Sequence, residues 1–340
     1  MFMNESFCSL NSTISSHCSS CFYGPVCQFS TTYYGIISLQ TLLCSFEYIP
    51  TGILISIFLF SSICNLFSIG TFCQSNAREM GSGIYRLWIS IIGQCGLTII
   101  VIHILIEKNN SGIIGCFILE YLRKALHASY DSLTACTTLE RTMVIYQGLA
   151  FNKIHSRRLA KLIIPILIIY HFLNIFYEPF YRQLIYSLNR YWCILKFSNH
   201  SIIIYQSVTN ICHFILPYFI NLILPIIWVL ALTKKKLILN KNLSIWINLK
   251  NILFTYKYTI ISCYILVLLN TPRLIFTFYL TCIKLQWQNT VYIIAYFLSL
   301  VPLMANLFIF VLPSPKYRPE FFSLVQRIIK YRHRSQYAST

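Results

Sequence analysis

Seven long apolar runs set the strongest constraint on how this chain can fold. Each run has about 20 residues or more, the length that an α-helix needs to cross a bilayer. The runs are continuous and do not alternate in the manner of barrel strands, so helices are the expected form. We expect an all-α membrane protein, a seven-transmembrane helix bundle, with spans at 48–73, 84–107, 113–146, 159–181, 201–232, 250–282 and 289–313.

The composition supports helices that face lipid. Of the 340 residues, 56% are hydrophobic and 11% are charged, whereas a soluble domain carries roughly a quarter charged residues. The net charge of +18 could indicate nucleic-acid binding, but that function needs a basic face on a soluble domain. Here the basic residues lie between apolar runs, so we expect a lipid bilayer around the chain and no nucleic-acid partner.

The basic residues also predict an orientation in the membrane. Nineteen of the 27 Lys and Arg residues lie in the loops after spans one, three and five, in the tail, or at adjacent helix ends. Cytoplasmic loops carry an excess of Lys and Arg. We therefore expect a multi-pass protein of the plasma membrane, with its amino terminus outside and its carboxyl terminus in the cytoplasm. Residues 314–340 are expected to form a cytoplasmic amphipathic helix and a basic tail.

Residues 1–47 contain no Lys or Arg and are expected to form an extracellular, cysteine-rich segment. We expect no cleaved signal peptide, because a basic n-region and a long apolar h-region are missing. The stretch 18–27 resembles the closing part of an EGF-like module. We expect two small disulfides here and not a zinc site, because glycosylation sequons flank the same stretch and indicate an oxidising compartment. The pairing stays open among Cys8, Cys18, Cys21 and Cys27.

Glycosylation sequons agree with this orientation, since acceptor asparagines are modified outside the cytosol. Asn242 begins a sequon on the predicted cytoplasmic side and is expected to stay unmodified. The sequons on the predicted outer side begin at Asn4, Asn11, Asn109 and Asn199.

The third apolar run, from Cys116 to Ile145, carries ionisable residues inside it. Charges within an apolar helix are costly and usually mark function. Arg123, His127 and Asp131 are spaced four residues apart, so they share one face of the helix. We expect Asp131 and His127 to form a polar pair inside the bundle.

Arg123 and Arg273, which lies in span six, are candidate ligand-binding residues together with His127 and Asp131. Two cationic groups facing one outer cavity would favour a ligand with an anionic group, such as a carboxylate. The alternative is that Arg123 pairs with Glu120 and that Arg273 points to a loop. The sequence leaves both open.

The two ends of the third run each suggest a specific interaction. Cys116 begins the run on the outer side, and Cys193 lies in the outer loop between spans four and five, so a disulfide is expected. The alternative is two free thiols. At the inner end, Arg141 could pair with Glu140 in a resting state and leave it when a cytoplasmic protein offers a better partner. The alternative is an arginine that only marks the membrane boundary.

Several position-matched features resemble those of a divergent rhodopsin-like (class A) G-protein-coupled receptor over residues 48 to about 330. The step of 25 residues from Cys116 to Arg141 matches the family's spacing between its third-helix cysteine and its signalling arginine. Glu140-Arg141-Thr142 resembles the family's acid-Arg-aromatic triplet, with Thr142 in place of the aromatic residue. The other matches are Asn65, Trp192-Cys193, the kink prolines Pro217 and Pro272, Asn306-Leu-Phe-Ile-Phe310 for the Asn-Pro-x-x-Tyr motif, and an amphipathic eighth helix over 319–332.

This resemblance implies a receptor with an extracellular ligand and a heterotrimeric G protein as its cytoplasmic partner. It implies no enzymatic activity, no cofactor and no metal. The ligand is expected to be a peptide or a small chemosensory molecule. Leu149 and Phe151, two apolar residues of the loop between spans three and four, are candidate contacts of the partner. The implied signalling residues are Glu140, Arg141, Thr142, Leu149, Asn65, Asn306 and Phe310.

The sequence also departs from the family's pattern. Gln94 stands where span two usually has an aspartate, so a sodium site is not expected there. Span six has Leu269-Asn270-Thr271-Pro272 without the family's tryptophan. Pro225 replaces a tyrosine of span five. Ile252 replaces an acid that some members use to hold the arginine, which leaves Glu140 as the expected partner of Arg141.

The sequence argues against two ligand classes and leaves three other functions as alternatives. Arg123 occupies the place of the aspartate that binds biogenic amines, and Leu300 lies near the place of the retinal lysine of opsins, so neither ligand is expected. The alternatives to a signalling receptor are a receptor-like chain with lost or altered signalling, a multispanning membrane enzyme and a transporter. The sequence contains no His-Glu-x-x-His or Gly-x-Ser-x-Gly motif and no internal repeat.

Overall fold

The computed structural model describes residues 22–23, 29–30, 51–108, 114–187, 190–197, 200–239, 245–279 and 286–338. The backbones of Leu149 and Arg273 are described, but their side chains are not. Nine residues with sequence-based predictions lie outside the described residues. They are Cys8, Cys18, Cys21, Cys27, Asn4, Asn11, Asn109, Asn199 and Asn242.

The described chain is built mainly of α-helices, which confirms the all-α class. Three π-helical turns interrupt or extend them: Gly115–Leu119 leads into α3, Ile211–Ile215 joins α6 to α7, and Leu307–Val311 follows α9. The helices are α1 (Thr51–Phe72), α2 (Gly81–Lys108), α3 (Glu120–Gln147), α4 (Lys153–Ile175), α5 (Glu178–Tyr181), α6 (His200–Asn210), α7 (Leu216–Leu239), α8 (Ile245–Tyr279), α9 (Gln286–Met304) and α10 (Arg318–Ala338).

The turn between α3 and α4 shows why these helices stop and start where they do. Gly148 follows α3 with a φ of +57°, a value that a residue without a Cβ adopts at little cost. Asn152 then caps α4, because its side-chain oxygen accepts hydrogen bonds from the backbone N–H groups of Ile154 and His155. The turn therefore reverses the chain with its local polar groups satisfied.

Among the described residues, four helical segments are long and apolar enough to cross a membrane: Ile55–Phe72, Gly81–His103, Lys153–Tyr181 and His200–Lys234. A fifth results if Trp246–Tyr258 and Ile260–Pro272, which lie at 68° to each other, are counted as one span. Long helices lie within all seven predicted segments. The crossing of a bilayer by seven of them stays a prediction, and α3 in particular carries many ionisable residues.

Two short antiparallel hairpins complete the fold. Strands β1 (Phe22–Tyr23) and β2 (Phe29–Ser30) pair in the amino-terminal segment. Strands β3 (Arg182–Ser187) and β4 (Arg190–Leu195) pair in the region between α5 and α6, with Cys193 opposite Leu184. The second hairpin gives Cys193 a defined position.

Helix α3 lies at the centre of the packing, against α2, α4 and α7. Tyr130 and Leu133 of α3 are almost fully buried, and they belong to one apolar core with Ile89, Ile164 and Leu303 of the neighbouring helices. Large apolar residues point outward from the same helices and are more than half exposed. Examples are Leu59, Leu66, Leu162, Leu173, Leu230 and Leu268. An outward apolar surface of this extent fits a lipid environment.

Helix α3 and the turn before it separate two polar regions. We call the region around Cys116 the disulfide end and the region around Arg141 the arginine end. At 1.5 Å per residue, the 25-residue step between them corresponds to roughly 38 Å along the helix axis. The two regions are therefore far apart and share one helix.

Candidate functional site

At the disulfide end, Cys116 and Cys193 form the predicted bond, with their Cα atoms 5.4 Å apart. This separation lies within the range that a disulfide requires. The bond ties β4 to the π-helical turn that leads into α3. The predicted disulfide is thus present in the structure.

Beside the disulfide, two buried carboxylates and three cations form a charged cluster. The Arg123 Nε donates to the Glu120 Oε2 at 3.1 Å, so the alternative partner weighed for Arg123 is the one that the structure has. Arg182 connects both acids, since its guanidinium lies 3.0 Å from a carboxylate oxygen of Glu178 and 3.8 Å from one of Glu120. Lys124 also donates to Glu178. Glu120 and Glu178 are each 3% exposed, and charges this deeply buried need paired partners.

One turn further along α3, the Nε2 of His127 lies 3.6 Å from the Oδ2 of Asp131. This is the polar pair predicted from their spacing. The pair follows the disulfide-end cluster along the same helix. A role of either residue in ligand binding stays a prediction.

Halfway along the bundle, the two asparagines singled out by the resemblance contact each other. The Asn306 side-chain N–H donates to the Asn65 Oδ1 at 3.1 Å, and the Tyr130 hydroxyl donates to the Asn306 Oδ1 at 3.1 Å. Asn65 in turn donates to the Oε1 of Gln94 at 3.2 Å and to the carbonyl of Leu303. This network joins α1, α2, α3 and the segment after α9, and its two asparagines are fully buried.

At the arginine end, Arg141 and Glu140 have different partners from those predicted. Arg141 donates a hydrogen bond of 2.8 Å to the hydroxyl of Tyr317, and its guanidinium carbon lies 5.7 Å from the centre of that ring. Glu140 accepts from the Ser156 hydroxyl, and its second oxygen is buried without a hydrogen bond to any residue that the structure describes. The expected pairing of Arg141 with Glu140 is therefore wrong for this structure. Tyr317 reaches the guanidinium from the far end of the chain.

A second arginine shares the same phenol. The guanidinium carbon of Arg86 lies 4.8 Å from the centre of the Phe310 ring and 5.1 Å from that of Tyr317. Arg86 also donates to the Phe310 carbonyl at 3.2 Å. The Tyr317 hydroxyl has Ser82 as another partner, at 3.4 Å. Phe310, one of the predicted signalling residues, therefore lies against the group that holds Arg141.

Burial raises the pKa of the Tyr317 phenol, but the positive charges of Arg141 and Arg86 outweigh this effect and lower the pKa below its usual value. Tyr317 is fully buried, so the interaction is shielded from solvent.

Ion pairs on the surface hold the loops of the arginine end together. Glu79 lies between Lys153 at 2.7 Å and Lys316 at 3.4 Å. Its pKa is lowered by these two lysines, with the Lys153 hydrogen bond as the largest cause. The first loop, the start of α4 and the segment before α10 thus lie side by side.

Sequence reasoning missed several residues of both regions. The charged cluster at the disulfide end could have been found from the sequence, because a charge beside an apolar stretch marks a candidate buried ion pair. This signal applies to Lys124, Glu178 and Arg182. Tyr317 and Ser156 carry no comparable signal, because tyrosine and serine are common near basic segments. Of the other predicted signalling residues, Thr142 donates to the Thr138 carbonyl of its own helix at 2.9 Å.

Among the residues whose positions the structure describes, no three His, Cys, Asp or Glu side chains are grouped to hold a metal ion. The chain matches no model of a known protein family, and a comparison with curated proteins also finds no match. Functional interpretation therefore depends on the geometry of the two regions.

Proposed function

We propose that this chain is a rhodopsin-like G-protein-coupled receptor, and neither an enzyme nor a transporter. It binds an extracellular ligand at the disulfide end and activates a heterotrimeric G protein at the arginine end. The observation that carries the proposal is the connection of these regions by α3, from the Cys116–Cys193 bond to Arg141 on Tyr317. A ligand that displaces one end of a rigid helix alters the packing at its other end.

The proposal includes seven spans, with the amino terminus outside the cell. In support, helices lie in all seven predicted segments, and the basic loops after α1 and α3 lie beside the segment that precedes α10. The ionisable residues of α3 are accommodated because they are paired within the protein and do not face lipid. The excess of Lys and Arg at the arginine end then assigns that end to the cytoplasm.

The ligand in this proposal is a peptide or a small chemosensory molecule with an anionic group. Three cations and two carboxylates leave the charged cluster with one positive charge in excess. Because Glu120 holds Arg123, an anionic ligand must compete with that carboxylate, and Arg273 is a further candidate contact. Arg123→Ala should lower agonist potency at normal surface expression; unchanged potency would remove Arg123 from the binding site.

Signalling in this proposal depends on release of Arg141 from Tyr317 toward a G protein. One neutral phenol holds the guanidinium, and the neighbouring carboxylate of Glu140 is engaged by Ser156. Glu140, Thr142, Asn65, Asn306 and Phe310 are proposed to position this switch, and Leu149 to contact the partner. The amide network carries the effect because it joins α3 to the segment after α9.

The test is a ligand screen, led by peptides, in cells that express a promiscuous G-protein reporter. Wild type and Arg141→Ala are screened together at matched surface expression. We expect agonist-driven signalling in wild type, with a loss of at least tenfold in Arg141→Ala. A response that is the same in both would contradict the mechanism.

A receptor-like chain with lost or altered signalling is the second candidate. Among the described residues, no acidic side chain lies within salt-bridge distance of Arg141, whose partner is Tyr317. The family's motif residues are also replaced in α8 and in the segment after α9. Both observations favour this second candidate. A ligand that binds wild type with high affinity but never activates the reporter would favour this second candidate.

A further inference from the structure

Tyr317 occupies an unusual place in the fold. It lies between the π-helical turn Leu307–Val311 and α10, and its side chain is fully buried. The ring packs edge-on against Phe72 at the end of α1, with 5.1 Å between the ring centres. Its hydroxyl contacts Ser82 of α2 and Arg141 of α3, and its ring faces the guanidinium groups of Arg86 and Arg141. Packing thus fixes the ring, and this places the hydroxyl where it forms its hydrogen bonds.

Two arginines meet at this one neutral side chain. Arg141 donates to the hydroxyl at 2.8 Å, and Arg86 lies over the ring at 5.1 Å. The Nε groups of both arginines are buried, and no described residue forms a hydrogen bond with them. Arg141 is held by Tyr317, through the hydrogen bond to its hydroxyl and the contact with its ring. The positive charge of Arg86 opposes this arrangement, because like charges repel in a region of low dielectric. Such a contact can be released at low cost.

Tyr317 is also tied to the helix that follows it. Phe321 of α10 packs edge-on against Phe67 of α1 with ring centres 5.7 Å apart, and Gln74 donates to the Glu320 carbonyl at 2.8 Å. The position of the hydroxyl therefore depends on how α10 docks on α1.

We propose that Tyr317 is the positioning residue that holds Arg141 in the resting state, in the role that the sequence suggested for Glu140. This inference rests on the proposed function and adds its regulation: α10 docked on α1 keeps Arg141 inward, and displacement of Tyr317 frees it. The interaction is a hydrogen bond, so no covalent step is involved.

The test uses the purified full-length chain with Tyr317→Phe, which retains the ring on Phe72 and removes only the hydroxyl. Arg141 reactivity toward phenylglyoxal is measured by mass spectrometry, and basal nucleotide exchange is measured with a panel of purified heterotrimeric G proteins. We expect severalfold faster modification of Arg141. We also expect basal exchange to rise about tenfold, since a hydrogen bond to a charged group changes an equilibrium by about this factor or more.

Two variants serve as matched controls. Tyr331→Phe removes a hydroxyl from α10, the helix that follows Tyr317, at a residue that is 77% exposed, and it should change neither measurement. Ser82→Ala removes the weaker partner of the Tyr317 hydroxyl and should leave Arg141 as unreactive as in wild type. If Ser82→Ala accelerated modification as much as Tyr317→Phe, reactivity would follow local packing, and the inference would be overturned.

The outcomes separate this inference from the proposed function. Unchanged Arg141 reactivity in Tyr317→Phe overturns the inference, even if ligand-driven signalling through Arg141 is found. Faster modification, with no exchange in any variant or with any ligand, supports the role of Tyr317 and counts against the receptor function. Exchange that rises in Tyr317→Phe and is lost again in the double variant Tyr317→Phe/Arg141→Ala supports both.

Discussion

Single side chains at the disulfide end show how much depends on paired charges. Glu178 lies between Lys124 and Arg182, and Glu120 lies between Arg123 and Arg182. Both carboxylates are removed from water. A buried charge that loses its partner keeps its desolvation cost. Substitution of either acid is therefore expected to lower the free energy of unfolding by more than substitution of a surface acid.

Glu178→Gln should therefore destabilise the protein by about 3–5 kcal/mol, because it leaves two cations near the protein interior without their shared acid. Thermal unfolding of the purified protein in detergent is the measurement. The matched control is Glu79→Gln, which removes an exposed acid that also lies between two lysines. Equal unfolding temperatures for the two variants would contradict the importance assigned to burial.

At this scale, sequence reasoning identified residues better than it identified their partners. The spacing of His127 and Asp131 predicted their contact, because residues four apart share a helix face. Asn65 and Asn306 were singled out by resemblance and do contact each other. The predicted pairing of Arg141 with Glu140 was wrong. The partner of Arg141 is Tyr317, which lies 176 residues away in the sequence and meets it only in the packed structure.

At the scale of elements, the start of α2 packs unusually close to the turn before it. A Cβ at Gly83 would lie 1.9 Å from the backbone carbonyl oxygen of Ala77. A backbone atom cannot move aside as the end of a flexible side chain can. Farther along the same helix, a Cβ at Gly96 would lie 3.5 Å from a methyl group of Leu303, an ordinary contact distance.

Gly83→Ala should consequently destabilise the protein by about 3 kcal/mol, at the upper end of the usual cost of overpacking. Gly96→Ala is the control in the same helix, and it should be neutral or slightly stabilising because alanine favours helix. The comparison is made by thermal unfolding at matched expression. A neutral Gly83→Ala would mean that α2 and the preceding turn are farther apart than the structure has them.

The disulfide is the second feature that acts between elements. It closes a segment of 77 residues that includes α3, α4 and β3. Cys193→Ser should lower stability by at most about 4 kcal/mol, because a membrane already restricts the unfolded chain that the crosslink constrains. A reducing agent should lower the unfolding temperature of wild type by more than that of Cys193→Ser. Cys212→Ser, at an exposed free cysteine, should behave like wild type.

For the whole molecule, the proposed orientation makes a prediction about glycosylation. Glycosidase treatment of protein from a eukaryotic cell should shift wild type on a gel, because the sequons on the outer side are modified. The shift should decrease stepwise as Asn4, Asn11, Asn109 and Asn199 are replaced by Gln. Asn242→Gln is the control and should leave the pattern unchanged. A glycan on Asn242 would reverse the orientation of the loop that contains it.

The sequence by itself determined the helical class and the positions of the long helices, and it predicted the Cys116–Cys193 bond that the structure contains. These features depend on the length and periodicity of the apolar runs and on the ability of two cysteines to form a disulfide. Only the tertiary structure decided the partners of the buried charges: Glu120 for Arg123, Ser156 for Glu140 and Tyr317 for Arg141. Periodicity shows which face of one helix is polar, but the side chain that meets this face comes from another part of the chain.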